Sequence, residues 1–286
     1  MASSFRCEER KIGDLQGYVW HPVGEVRSVC VIFHGYAAHG KYGTIVFAAE
    51  LLAASATAVV ACDFRGFGKS PGQAGLIESL ESLLGDAEAT VAFARAEFPE
   101  VPVFALGSSM GGNVALHASL RFNFRGVVLL GPMIETSARP PWWQVPLLKA
   151  VNCVPYARTA GLLSPSGLAS DKQYKDPERR KICDDDELGY HGSMCLATAA
   201  ALLEAISALQ EKLHELTVPM LIIHGDADEI VPLSGSKLLL DKAKSQDKTL
   251  SVYPGMLHSP LCEFPDVRQK VEKEILDWIA TRLVLP

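Results

Sequence analysis

The sequence predicts an α/β fold: a mostly parallel central sheet with helices on both faces and a helical cap inserted into it. Three observations predict this. Short β-rich apolar runs ending in Gly or Asp alternate with longer amphipathic stretches, the pattern of βα units that build a parallel sheet. The apolar runs read as buried central strands, which places helices over both faces. One interval, residues 137–216, carries no strand signal and shifts in composition to prolines and tryptophans and then to charge.

Taken in order, Phe5 to Trp20 reads as an antiparallel edge hairpin, with Gly13 and Asp14 turning between two β-prone segments. Strands are expected at Val29–Phe33, Ala58–Cys62, Val103–Leu106, Val127–Leu130, Met220–Ile223 and Leu250–Tyr253. Between them, Tyr42–Ala54, Leu80–Glu97, Gly111–Leu120, Ser236–Ala243 and Asp266–Arg282 carry apolar residues near helical period and are expected to cover the sheet. At 286 residues, 48% hydrophobic and 21% charged, the chain is expected to form one domain with an insertion. Residues 1–136 and 217–286 would be the core and 137–216 the cap.

The net charge of -6 gives no basic stripe to offset phosphate, so a nucleic-acid partner is not expected. The start, MASSFRCEER, has charges where a secretory peptide would be apolar, so export is not indicated. Seven cysteines, without a CxxC pair, read as reduced thiols, which points to a cytoplasmic location. No stretch approaches the roughly 20 apolar residues of a spanning helix; the longest, Leu51 to Cys62, reads as a helix end plus a strand. A soluble protein that can touch a membrane peripherally is expected.

The chemistry starts at Gly107-Ser108-Ser109-Met110-Gly111, which follows an apolar strand and precedes a helix-prone run. In that context Gly-x-Ser-x-Gly is a nucleophile elbow. A serine on a sharp strand-to-helix turn sits in strained backbone, and its neighbours two positions away must lack side chains. Ser109 is the candidate nucleophile; Ser108 occupies the variable position. The Met110 N–H, at the helix N-terminus, is a candidate oxyanion donor. Without its flanking elements the same pentapeptide would read as an ordinary glycine-rich turn.

Strand Met220–Ile223 runs into His224-Gly225-Asp226-Ala227-Asp228, where an acid partner would sit. Asp226 and Asp228 compete; position after the turn favours Asp228, and either can serve instead as a turn cap. His258 follows the last strand and the turn Pro254-Gly255, at the sheet edge that Ser109 shares. A general base must come within about 3 Å of the nucleophile's proton, and loops after neighbouring parallel strands converge there. The order Ser, Asp, His along the chain fits this type of sheet. His224 reads as closing its strand. His34-Gly35-Tyr36 closes strand Val29–Phe33, and the Tyr36 N–H is the candidate second oxyanion donor. The turn Asp63 to Ser70 reads as structural.

The segments HGY, DFRGFGKS, GSSMGG, HGDADEIVP and LLLDKAKSQDKTLSVYPGMLH resemble the monoglyceride lipase and lysophospholipase-like family of α/β-hydrolases. The resemblance spans Val29 to Leu283 and is weakest in the cap. It implies the α/β-hydrolase fold and a serine esterase acting on lipid acyl esters, with Ser109, Asp228 and His258 as the triad and Tyr36 and Met110 as oxyanion donors. It also settles the acid as Asp228, the Asp of Gly-x-x-Asp. Lys41 stands near the position of a headgroup-holding arginine in animal members, a departure that bears on the headgroup.

Within the cap, Pro140-Pro141-Trp142-Trp143 is apolar and aromatic. Trp142 and Trp143 are candidates for an acyl-chain entrance or a membrane-touching lid, against the simpler reading that they pack the cap onto the core. The charged stretch Asp176 to Glu187 reads as a solvated helix or loop. The expected reaction is hydrolysis of monoacylglycerol through an acyl-enzyme on Ser109, and this chemistry needs no metal and no cofactor. Lysophospholipids and short or phenolic esters, such as shikimate esters, are the alternative substrates. Acyl transfer and a non-catalytic receptor are the alternative functions, the receptor disfavoured because all three triad residues are present.

Overall fold

The computed structural model describes residues 5–136, 159, 161–163 and 169–283. The elements are β1 (Phe5–Ile12), β2 (Leu15–Pro22), β3 (Ser28–Phe33), α1 (Gly43–Ala53), β4 (Thr57–Cys62), α2 (Leu80–Glu97), β5 (Val103–Ser108), α3 (Met110–Ser119) and β6 (Gly126–Leu130). After them come β7 (Gly161–Leu163), α4 (Ser170–Gln173), α5 (Pro177–Asp184), β8 (Met194–Cys195), α6 (Leu196–Lys212), β9 (Met220–Gly225), α7 (Leu233–Lys242), β10 (Lys248–Tyr253) and α8 (Pro265–Leu283).

Eight strands form one sheet in the order β1-β2-β4-β3-β5-β6-β9-β10. β1 and β2 form an antiparallel hairpin whose register closes at Ile12 and Leu15, around Gly13 and Asp14. β2 joins β4 antiparallel, and every later pairing is parallel. The period of two along each strand decides which helix covers which side. Val29, Val31, Phe33, Val103, Ala105, Val127 and Leu129 point into one core with α2, α3, α6 and α7. Cys30, Ile32, Phe104, Leu106, Val128 and Leu130 point into the other, under α1 and α8.

Two expectations change. β10 is not a central strand: it lies at the sheet edge and every one of its residues is half-buried or exposed, Val252 being 40% exposed. Its outer positions are instead tied to α8 by hydrogen bonds from the Ser251 and Tyr253 hydroxyls to the Glu274 carboxylate. The interval 137–216 does contain strands, since β7 and β8 pair antiparallel as a separate two-stranded sheet. At three and two residues they are too short to carry an alternation that can be read.

The same interval ends in α6, a 17-residue helix that lies on the sheet domain. Ala197, Thr198, Ala201, Leu202, Ala205, Ile206 and Leu209 form its buried stripe. Asn113 Nδ2 and His117 Nε2 of α3 both reach the Ala205 carbonyl oxygen, at 3.4 and 3.0 Å.

Candidate active site

Ser109 occupies the turn between β5 and α3 at φ 55° and ψ -119°. A non-glycine residue pays for that backbone with strain, and the surroundings hold it there. Its carbonyl oxygen accepts from Gly112 N and Met133 N at 3.0 Å, and its own N–H donates to Leu130 O at 3.0 Å. The flanking glycines are required by close approach. A Cβ on Gly107 would overlap the Gly111 carbonyl, and one on Gly111 would overlap the Phe33 carbonyl at the end of β3.

His258 sits in the loop after β10 and is 4% exposed. Its Nδ1 lies 2.7 Å from Asp228 Oδ2. A carboxylate only accepts, so Nδ1 carries the proton and Nε2 keeps its lone pair. Asp228 Oδ1 is fixed by the N–H groups of Ile230 and Val231 at 2.8 and 2.9 Å. Burial by itself would raise this carboxyl. Hydrogen bonds from His224 and His258, with the Val231 N–H, outweigh it and hold Asp228 well below the usual carboxylate range. Asp226, the competing acid, is turned away from this pair and accepts the Gly255 N–H at 2.6 Å. It caps the neighbouring turn.

Ser109 and His258 line one cavity of about 400 Å³. Gly35 and Tyr36 form its roof near the nucleophile, a Cβ on Gly35 falling 3.5 Å from Ser109 Cβ. Among the described residues neither the Tyr36 N–H nor the Met110 N–H has a hydrogen-bond acceptor. The Tyr36 ring stands edge-on to Phe67 and Tyr190, at 5.6 and 6.2 Å. His34, wholly buried, accepts from Phe64 N at Nε2 (3.0 Å), so its Nδ1 donates to Gly35 O (2.8 Å) and fixes this loop.

The rest of the wall comes from positions that carried no chemical signal in the sequence. Gln173, Tyr174 and Tyr190 arrive from the inserted interval, and Tyr42 and Thr44 from the entry to α1. Tyr42 Oη bonds Tyr174 Oη at 3.3 Å and the Cys183 carbonyl at 3.1 Å. Lys41 does not join them. It is exposed, with Nζ 5.7 Å from the Tyr18 ring centre, and it is not among the cavity residues; one step along the chain, Tyr42 takes the inward position. Trp142 and Trp143 lie outside the described residues. The candidate metal cluster found among the described residues joins Glu8 and His21 of the β1–β2 hairpin to Glu97 at the end of α2; it is half-buried, and its Glu8 and Glu97 are already bound by Arg10.

A serine elbow, a strand-end histidine paired to a strand-end carboxylate and a mostly parallel eight-stranded sheet define an α/β-hydrolase. Comparison with known proteins agrees. The family described as serine aminopeptidase, S33, matches residues 24–265. The chain is 32% identical over 273 residues to a monoacylglycerol lipase of Mycolicibacterium smegmatis, covering 93% of this chain and 92% of the relative. It is 31% identical over 267 residues to the monoglyceride lipase of Homo sapiens, covering 92% and 86%. The crystal structure of the Paleococcus ferrophilus monoacylglycerol lipase superposes with a TM-score of 0.78 at 25% identity, covering 94% of this chain and 99% of that one. The chain belongs to the serine aminopeptidase S33 family of α/β-hydrolases.

Proposed function

We propose that this protein is a serine ester hydrolase that cleaves monoacylglycerol to free fatty acid and glycerol. The observation that carries the reading is the meeting of Ser109 and the His258–Asp228 pair in one cavity. His258 Nε2 takes the Ser109 proton as Oγ attacks the ester carbonyl, and Asp228 holds the imidazole in its tautomer. The N–H groups of Tyr36 and Met110 stabilise the oxyanion, each such donor being worth about 3 kcal/mol. The protonated histidine then gives its proton to the leaving glycerol oxygen, and water, activated by the same base, releases the fatty acid. The relatives' names support the lipid ester, and the polar wall from the Thr44 and Tyr174 hydroxyls and the Gln173 amide suits a polyol end.

We assign residues 1–136 and 217–286 to the core and 137–216 to the cap, with α6 its return helix on the sheet. Trp142 and Trp143 are assigned to the acyl entrance or to peripheral membrane contact. No helix among the described residues is long and apolar enough to cross a membrane. The free thiols Cys7, Cys30, Cys62, Cys183, Cys195 and Cys262 suit a reducing, cytoplasmic setting.

The test is hydrolysis of monoacylglycerols, lysophospholipids and short p-nitrophenyl esters by the wild type and Ser109→Ala. Long-chain monoacylglycerol is expected to be preferred and the variant to lose at least about a thousandfold in kcat. Full activity in Ser109→Ala sinks the mechanism; turnover of short esters alone sinks the lipid substrate.

A further inference from the structure

His258 is not the only imidazole on Asp228. His224, at the end of β9 and completely buried, places Nε2 3.2 Å from Asp228 Oδ2, the same oxygen that receives His258 Nδ1. His224 Nε2 also lies 3.1 Å from the Val231 carbonyl oxygen. Both neighbours are pure acceptors, so Nε2 must carry a proton. The opposite ring nitrogen, Nδ1, lies 2.7 Å from Ser236 Oγ, a buried hydroxyl in the first turn of α7. That hydroxyl is free to donate to an Nδ1 lone pair, and so selects the tautomer with the proton on Nε2.

We propose that His224 is a positioning residue for the hydrolytic reaction: with Ser236 fixing its tautomer, it shares its single Nε2 proton between the Val231 carbonyl and Asp228 Oδ2 and so sets how strongly that carboxylate pulls on His258. With Ile230 N and Val231 N on Oδ1, this third donor besides His258 leaves the carboxylate no free rotation. It also draws off part of the negative charge that Asp228 would otherwise direct at the His258 ring. The groups facing His224 are Asp228 from its own loop, the neutral Ser236 hydroxyl from α7 and, across the carboxylate, His258 from the loop after β10. The inference rests on the triad reading given above.

The test measures kcat and KM for p-nitrophenyl butyrate from pH 5 to 9 in the wild type, His224→Leu, His224→Gln and Ser236→Ala, with Ser109→Ala beside them. His224→Leu removes the donor, and kcat is expected to fall about tenfold, as for loss of a hydrogen bond to a charged group. The acid limb of kcat/KM should move upward by about half a unit or more, with KM changed less than about twofold. His224→Gln restores an N–H at the Nε2 position and should return the limb to its wild-type place. Ser236→Ala, which leaves the ring in place but frees its tautomer, should move the limb in the same direction by less, and it serves if His224→Leu does not fold. A wild-type acid limb in both His224→Leu and Ser236→Ala, or one that His224→Gln fails to restore, overturns the proposal. If Ser109→Ala stays active, it is the triad reading that fails instead.

Discussion

Burial pushes the His34 imidazole down to about 3 from its ordinary 6.5, and this outweighs the hydrogen bond to Gly35 O, which acts the other way. The unfolded chain therefore takes up a proton below pH 6.5 that the folded chain refuses until about pH 3. Across that window the unfolded state binds more protons, so this group's contribution to stability is lost as pH falls, by about 1.4 kcal/mol for each unit. Asp228, held low, works in the same direction at more acid pH, whereas Asp63, Asp86 and Glu263, raised by burial, work in the opposite one. Those groups are common to the wild type and to His34→Gln and cancel when the two are compared. Urea unfolding at pH 7 and pH 5 is expected to show the wild type losing about 2 kcal/mol more than His34→Gln. Parallel losses would remove His34 as the source.

Two glycines, on two helices, test how the elements set the site. Gly111 lies in the first turn of α3, where an added Cβ would meet the Phe33 carbonyl, so Gly111→Ala must push α3 away from β3. Overpacking of this kind costs about 1–3 kcal/mol. The same shift moves Ser109 and the Met110 N–H, and a displacement near 1 Å can cost on the order of a hundredfold in rate. Gly85 on α2 is exposed and has nothing within 4 Å of an added Cβ. Gly85→Ala should gain about 0.5–1 kcal/mol from the unfolded chain's lost freedom and leave kcat alone. Denaturant midpoints and steady-state rates for the two variants check both signs, and a Gly111→Ala enzyme with wild-type rate would detach the elbow's glycine from its function. This steric logic explains why so much was legible in the sequence. The six sheet strands from β3 onward and five covering helices follow from period, and the elbow's glycines follow from the space above a sharp turn. β7, β8 and the edge position of β10 did not, because a two-residue strand has no period and an edge is a property of the whole sheet. α6 was missed although its apolar spacing is helical, because the shift in composition before it drew the whole interval into one inserted unit.

At the level of the whole molecule, the nearness of Ser109, Asp228 and His258 was legible because three strand ends converge on one side of a mostly parallel sheet, whichever residues cover it. The cavity wall was not, because Gln173, Tyr174 and Tyr190 reach the site through contacts far apart in sequence. The segment from Gln173 to Arg179 is stitched to the loop that carries His258. Ser259 N donates to Gln173 O at 3.1 Å, and Lys175 N and Asp176 N donate to Cys262 O at 3.0 and 2.8 Å. Lys175 Nζ reaches Gly255 O at 2.7 Å, and Arg179 Nη1 reaches Leu261 O at 2.5 Å. Asp176 joins both sides, capping α5 through Glu178 N at 2.9 Å and accepting from Arg268 Nη1 of α8 at 2.7 Å. Burial would raise this carboxyl, but Arg268 and the two capping N–H groups hold it below its ordinary value. Asp176→Ala therefore removes a helix cap, a loss of about 1–2 kcal/mol, and with it the tie between the inserted segment and α8. If the segment buttresses His258, kcat should fall several-fold in the variant at a temperature where it remains folded. Lys181→Ala, on the exposed side of the same helix beside Asp185, should change neither quantity. Denaturant midpoints read together with kcat separate the alternatives. A loss of stability without loss of kcat would make the segment a passive cover over a histidine loop that holds its own shape.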